Sequence, residues 1–404
     1  MKKWYGIAAL IAVTVAFLGY TYNRWFDDHS RVFHQQLLVL DSHLDTPMLL
    51  ERPGFDITKR HTTTRDFSQV DVPRMRQGGM DGGFWVIYTP QSALTRNAYA
   101  IAFANARHRN ALIDAMVAQH SDIFASALNA PDVEMRHRQR KIVVLKSLEN
   151  AYPLGETIGL LDYFYDLGVR MVGIVHSSHN QFADSSTDPA GPKWNGLSPL
   201  GRELVQRANK LGMIIDASHA SDETLKQILT LSSDPIILSH SGAASIHPHP
   251  RNISDDSMRA LAKNGGVIQI NSLALYLKAF PEQNPQRYKD LRKFYQSQRE
   301  NPPIDVAQQE AALELRRTID QKYPPLEATL SDFLAHLFHA LKIVGADHVG
   351  IGADWDGGGG VAGMMDVSKI DEITVALRRE GISEEDIVKI WSGNLLRVLG
   401  QVSK

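Results

Sequence analysis

Eight short, β-rich apolar runs recur along the chain, with helical stretches between most of them. They read "LLVL" (37–40), "GGFWVIY" (82–88), "KIVVLKS" (141–147), "RMVGIVH" (170–176), "GMIIDAS" (212–218), "PIILSH" (235–240), "GGVIQIN" (265–271) and "HVGIGAD" (348–354). Several are apolar on both faces, the mark of parallel strands covered on both sides. The intervening "LSPLGRELVQRANKLG" (197–212) carries Leu200, Leu204, Val205, Ala208 and Leu211 as a stripe at helical spacing, with Gly212 to cap it. "TLSDFLAHLFHALKIVG" (329–345) repeats the pattern, with Thr329 or Ser331 as N-cap and Gly345 as C-cap. This alternation predicts an α/β fold, a (β/α)8 TIM barrel over residues 37–404; an open doubly wound sheet is the lesser alternative. The longest interval, 273–347, includes a highly charged stretch with Pro–Pro pairs at 302–303 and 324–325, and reads as a helical excursion between strands seven and eight. "GGGG" (357–360) lacks the lysine and following helix of a phosphate loop, and "HPHP" (247–250) reads mainly as loop geometry.

The N-terminus stands apart. After "MKK", residues 4–22 carry no charge, and nineteen helical residues span roughly 28 Å, about a bilayer core. Trp4, Tyr5, Tyr20 and Tyr22 lie near the ends of this segment, and Lys2 and Lys3 favour a cytoplasmic N-terminus. The expectation is a cytoplasmic tail (1–3), a transmembrane signal-anchor helix (4–22) and a connector (23–36), with the barrel held at the membrane outside the cytoplasm. A cleaved signal peptide is the rival, although no clean small-x-small cleavage site follows the apolar run.

The 404 residues have a formal net charge of −2, which gives no basic field for nucleic acid, and no nucleic-acid partner is expected. There is no cysteine, so any metal must sit on His, Asp or Glu.

Position selects among the 16 histidines. Strand one runs into "DSHLDTP" (41–47), with His43 and Asp45 two residues apart, and strand three ends in "KSLEN" with Glu149. His176, His219, His240 and Asp354 stand at the ends of strands four, five, six and eight. Active sites of such barrels lie at the C-terminal strand ends, so these groups would converge on one mouth. Alone, each has a plainer reading: a hydrogen-bonded histidine, a helix cap at Asp354 or a first-turn carboxylate at Glu149. Their coincidence at one end favours a metal site. Three histidines and two or three carboxylates exceed the needs of one tetrahedral ion, so two metals fit better, with a carboxylate such as Glu149 between them. Such a pair also holds a water as hydroxide. Nitrogen and oxygen ligands make zinc the leading metal, with manganese, iron and cobalt as alternatives. Asp41, one pleat deeper, would support His43 or a neighbouring strand.

These stretches resemble the membrane dipeptidases, or renal-type dipeptidases, of the metal-dependent hydrolase superfamily. The matching segments are "DSHLDTP", "VRMVGIVHSSHNQFADSS" (169–186), "GLSPLGRELVQRANKLGMIIDASHAS" (196–221), "PIILSHSGAASIHPHPRNISDD" (235–256) and "DHVGIGADWDG" (347–357). The resemblance runs from about residue 34 to the C-terminus. It implies that His43 and Asp45 hold one metal, His219 and His240 the other, and that Glu149 bridges two Zn2+ per subunit. It further implies that His176 faces the substrate and stabilises the tetrahedral intermediate, that Asp354 handles protons and that Arg251 binds the substrate carboxylate. Ser42-His43-Leu44-Asp45 stands where the family usually has Gly-His-Asn-Asp, and Asn150 where glycine usually follows the glutamate. Neither change removes a ligand.

The expected activity is hydrolysis of dipeptides by a metal-bridging hydroxide, with broad side-chain acceptance and tolerance of a C-terminal D-residue as the family implies. Two other functions fit the same residues: a two-metal amidohydrolase for amides, lactones or phosphoesters, and a non-catalytic metal-binding barrel. A homodimer is compatible with the sequence, which does not choose an oligomeric state.

Overall fold

The computed structural model describes residues 24–281 and 284–403. The apolar segment 4–22 lies outside them. Among the described residues no helix is long and apolar enough to cross a membrane.

Eight parallel strands follow one another in sequence order: β1 (Leu40–Leu44), β2 (Gly82–Tyr88), β3 (Ile142–Glu149), β4 (Val169–Gly173), β5 (Ile214–Asp216), β6 (Ile237–Ala243), β7 (Val267–Ile270) and β8 (Val349–Ile351). Two short additional strands, Phe124–Ser126 and Asn252–Ile253, pair with β3 and β6. Leu40, Phe84, Leu145, Met171, Ile214, Ile237 and Val267 form one buried cluster with Leu395, Val398, Leu399 and Val402 of the helix Asn394–Val402. That helix closes the N-terminal end of the strands with apolar side chains, which leaves polar chemistry to the opposite end.

β8 and β1 meet without a regular ladder. Leu44 bridges to Trp355, whose carbonyl accepts from the Asp45 N–H at 2.9 Å. The buried Asp41 carboxylate supplies a side-chain substitute for ladder bonds, accepting from the His43 N–H at 2.8 Å and the Ala353 N–H at 3.0 Å. Asp356 ties the following loops together, accepting from Thr46 Oγ1 at 2.7 Å and the Gln69 N–H at 2.6 Å. Gly352, just after β8, is required by a close approach to β6, because a Cβ there would lie 1.8 Å from the Ser239 carbonyl oxygen. The result is a near-barrel of the TIM type.

β1 begins at Leu40 instead of ending there, so "DSHL" lies within the strand. Strict alternation does not hold in it. Between Asp41 and Leu44 the pairing with β2 gains one residue, a bulge. A second bulge in β6 falls between Leu238 and Ser241.

The helix Pro199–Leu211 follows its sequence signals: Ser198 Oγ accepts from the Gly201 N–H, and Gly212 caps the end at φ 76°. Thr329, not Ser331, is the N-cap of Leu330–Val344, in a reciprocal capping box with Asp332. The excursion is helical, comprising Ala274–Leu277, Pro285–Glu300 and Val306–Lys322. Arg287 and Arg316 both pair with Asp320 inside it, and Arg316 lies over the Phe67 ring. Residues 24–34, expected as a connector, form a helix docked on the body through His34 and through the Arg379–Asp27 and Arg31–Glu372 pairs.

Candidate metal centre

Loops and strand ends at the C-terminal side of the sheet deliver the ionisable groups to one buried cluster. His43 comes from the β1 bulge, Asp45 from the residue after β1, Glu149 from the last position of β3 and His240 from the β6 bulge. His176 and His219 follow β4 and β5 by three residues each, and Asp354 follows β8 by three.

Glu149 is the centre. Its Oε1 lies 3.5 Å from His43 Nε2, 3.4 Å from His176 Nε2, 3.3 Å from His219 Nε2 and 3.7 Å from His240 Nε2. His43 Nε2 is also 3.6 Å from Asp45 Oδ2, and the Nε2 atoms of His219 and His240 are 2.9 Å apart. Two sets of ligand atoms within 4.8 Å of one another result: His43, Asp45 and Glu149, and Glu149, His219 and His240. Glu149 is common to both. The buried atoms His43 Nε2 and Asp45 Oδ1 have no hydrogen-bond partner, a state that costs free energy unless a cation occupies the gap. Nitrogen and oxygen donors in two triads sharing a carboxylate fit a pair of divalent ions.

The chain turns sharply after Glu149. Asn150 has φ 70°, the left-handed region that glycine or asparagine enters most readily, which accounts for Asn at a position where the resemblance leads one to expect Gly. Its side chain is also used: Oδ1 accepts from the Tyr152 N–H and Asn180 Nδ2, and Nδ2 donates to Gln91. Asp354 has φ 65°, a strained backbone for a non-glycine residue. A Cβ on Gly357 would come within 2.1 Å of Asp45 Oδ2 and 2.2 Å of Asp354 Oδ1, so both carboxylates flank one spot that only glycine leaves open.

Electrostatics divide the set. Burial pushes Asp354 well above the carboxylate range, and the charges of Asp45 and Glu149 add to this against the opposing pull of His43. Burial likewise raises Asp45, with Glu149 reinforcing it. For Glu149 burial acts upward but is outweighed by His43, His176 and hydrogen bonds from His219 and His43, so its carboxyl sits well below its usual value. Burial, then Arg251 and His176, holds His219 low; burial, then His43 and Arg251, holds His240 low. Neutral imidazoles of this kind are competent metal ligands. Burial raises Asp41 to about 7.

His176 is the most open of the four histidines, with 23% of its side chain exposed against 7% or less for the other three. Arg251 is buried. Its Nη2 donates to the His240 carbonyl at 3.0 Å, while Nε and Nη1 have no partner. Sequence reasoning missed two neighbours. Tyr276, from the first helix of the excursion, lies 5.4 Å from the Arg251 guanidinium, and the Tyr88 ring lies 5.1 Å from that of His176. Tyr88 closes the β2 run and was open to notice; Tyr276 had no local signal. The histidines of "HPHP" serve the loop, with His249 Nδ1 accepting from the Arg251 N–H and its ring tilted against Tyr276, 4.6 Å between centroids.

A family model described as membrane dipeptidase (peptidase family M19) matches residues 28–404. The chain is 30% identical over 370 residues to Dipeptidase tcpJ of Claviceps purpurea, covering 90% of this chain and 76% of that protein. It is 30% identical over 342 residues to Dipeptidase aclJ of Aspergillus oryzae, covering 83% and 70%. The crystal structure of the probable dipeptidase PvdM from Pseudomonas aeruginosa matches with a TM-score of 0.79 at 30% identity, covering 94% of this chain and 99% of that one. A metallopeptidase from Rhodobacter sphaeroides, liganded with a phosphinate mimic of L-Ala-D-Ala, shares the fold with a TM-score of 0.71 at 23% identity, covering 91% and 99%.

Proposed function

The chain belongs to the membrane dipeptidase family, peptidase family M19, a family of metallopeptidases, and from that premise we propose that it hydrolyses dipeptides with two zinc ions. The observation that carries the reading is the convergence of four imidazoles on the single carboxylate Glu149, with Asp45 beside it. His43, Asp45 and Glu149 would hold one ion, and Glu149, His219 and His240 the other. When bound, the pair would supply a hydroxide nucleophile and a polarised scissile carbonyl.

The remaining groups have roles that follow from their surroundings. Arg251, a buried guanidinium with donors left unpartnered, would pair with the terminal carboxylate of the substrate, and thereby select short peptides. The relatively open His176 would donate to the developing oxyanion. Asp354, whose burial makes its carboxylate more basic than an ordinary one, would take the proton of the attacking water and return it to the leaving amine. The test is metal analysis with an assay on L-L and L-D dipeptides, lactones and phosphate esters. We expect two zinc ions and dipeptide turnover in the wild type, and loss of both turnover and one ion or more in His219→Ala or His240→Ala. A variant that kept both ions and full activity would remove these ligands from the reading.

Residues 4–22 are proposed as a single-pass membrane anchor, with the barrel outside the cytoplasm. Full-length chain should sediment with membranes and a chain starting at residue 24 should not; equal behaviour of the two would refute the anchor.

A further inference from the structure

Behind the metal-facing edges of the imidazoles lies a second polar layer to which neither the sequence nor the family likeness drew attention. Asp216, the last residue of β5, is 5% exposed, and Ser239 of β6 is fully buried. Asp216 Oδ2 accepts from Ser239 Oγ at 2.6 Å. Its Oδ1 accepts from the Ser218 N–H at 3.0 Å, the Ser239 N–H at 2.9 Å and Ser218 Oγ. Ser239 Oγ lies 2.9 Å from His240 Nδ1 and 3.3 Å from His43 Nδ1.

One hydroxyl has one proton and two lone pairs. The 2.6 Å contact to an acceptor-only carboxylate uses the proton, so toward the imidazoles Ser239 Oγ acts as an acceptor. A ring that donates Nδ1–H to it keeps Nε2 bare and aimed at Glu149. The bulge in β6 makes this arrangement possible, because in a regular strand Ser239 and His240 would face opposite ways. The β1 bulge brings Ser42 and His43 to the same serine: Ser42 Oγ donates to the Ser239 carbonyl at 2.6 Å.

We propose that Ser239, backed by Asp216, is a positioning residue that sets the Nδ1–H tautomer of one histidine in each metal triad, His43 in the first and His240 in the second. The two ions are thus prepared by a single shared hydroxyl instead of by separate supports. Ligand atoms of His43, Asp216 and His240 also lie within 4.8 Å of one another, but a cation among them would have to displace Ser239, which already occupies Asp216 and His240 Nδ1.

The inference rests on the metal assignment above, and its test separates the two. In the metal-free full-length wild type, 15N spectra of the histidine rings should show neutral His240 with its proton on Nδ1. A proton on Nε2 instead would overturn the proposal whether or not the chain binds zinc, and failure to bind zinc at all would overturn the metal assignment alone. Zinc affinity, measured by competition with a chelator, should fall roughly 10- to 100-fold for both ions in Ser239→Ala. Ser239→Thr, which retains the hydroxyl, should recover most of that loss. A Ser239→Ala protein with wild-type Tm and both affinities unchanged would also overturn it, and if this variant fails to fold, the wild-type ring spectra still decide.

Discussion

Arg251 and Asp354 separate binding from chemistry at the level of single side chains. The guanidinium is buried with two nitrogens unpaired, so its free donors await an anion. Arg251→Ala should raise KM for dipeptides about 10- to 100-fold, the worth of hydrogen bonds to a charged group, with little change in metal content. An unchanged KM would mean that another residue reads the carboxylate. Asp354→Asn preserves shape and removes the proton carrier. We expect kcat to fall about 100-fold or more with both ions retained, and wild-type turnover would exclude a proton-transfer role. At this scale His43, Asp45, Glu149, His176, His219, His240 and Asp354 stand out by type and by place at strand ends, whereas Arg251 was marked only by the family resemblance. Ser239 did not, because strand alternation assigns it to the face opposite His240, and a bulge is invisible without its partner strand.

Among the elements, the seam between β1 and β8 is the most informative. Asp41 accepts two backbone N–H groups there, one from each side of the gap. Asp41→Ala leaves both donors buried and unpaired, and should cost about 2 kcal/mol or more, read as a lower urea midpoint. A midpoint equal to wild type would show that the seam closes without it. The stripe of polar residues in "DSHLDTP" therefore divides into a seam-closing carboxylate, Asp41, and two residues facing Glu149, His43 and Asp45. The excursion was legible as helical from its charge and prolines. Its delivery of Tyr276 to Arg251 was not, since that contact joins positions 25 residues apart through a turn whose course only packing determines.

At the level of the whole molecule, the helix over 24–34 ties the beginning of the described chain to the closed end of the barrel. His34 is buried there, with Nε2 donating to the Gly78 carbonyl at 2.8 Å and Nδ1 2.7 Å from Thr374 Oγ1. Burial lowers its pKa from the ordinary imidazole value of about 6.5 to about 4. Between these values the unfolded chain binds more protons than the folded one, so stability rises with pH across that window and is lost as pH falls from about 6.5 toward 4. The contribution is at most about 3 kcal/mol. His34→Gln should flatten the dependence of Tm on pH between 4 and 6.5, and an unaltered slope would assign the acid sensitivity to other groups.

The sequence by itself determined the period of the fold and the kinds of donor available to a metal. Apolar runs that are buried on both faces must become covered parallel strands, and a chain without cysteine must bind metal through His, Asp and Glu. Only the tertiary structure decided how those donors meet. Two one-residue bulges turn consecutive side chains toward the same centre, a left-handed turn at Asn150 carries the chain away from Glu149, and Asp41 closes a seam that has no regular ladder. The bulges and the seam depend on contacts between strands far apart in the chain, and the Asn150 turn on side-chain bonds to Gln91 and Asn180, none of which is set before the sheet curls round and its two edges meet.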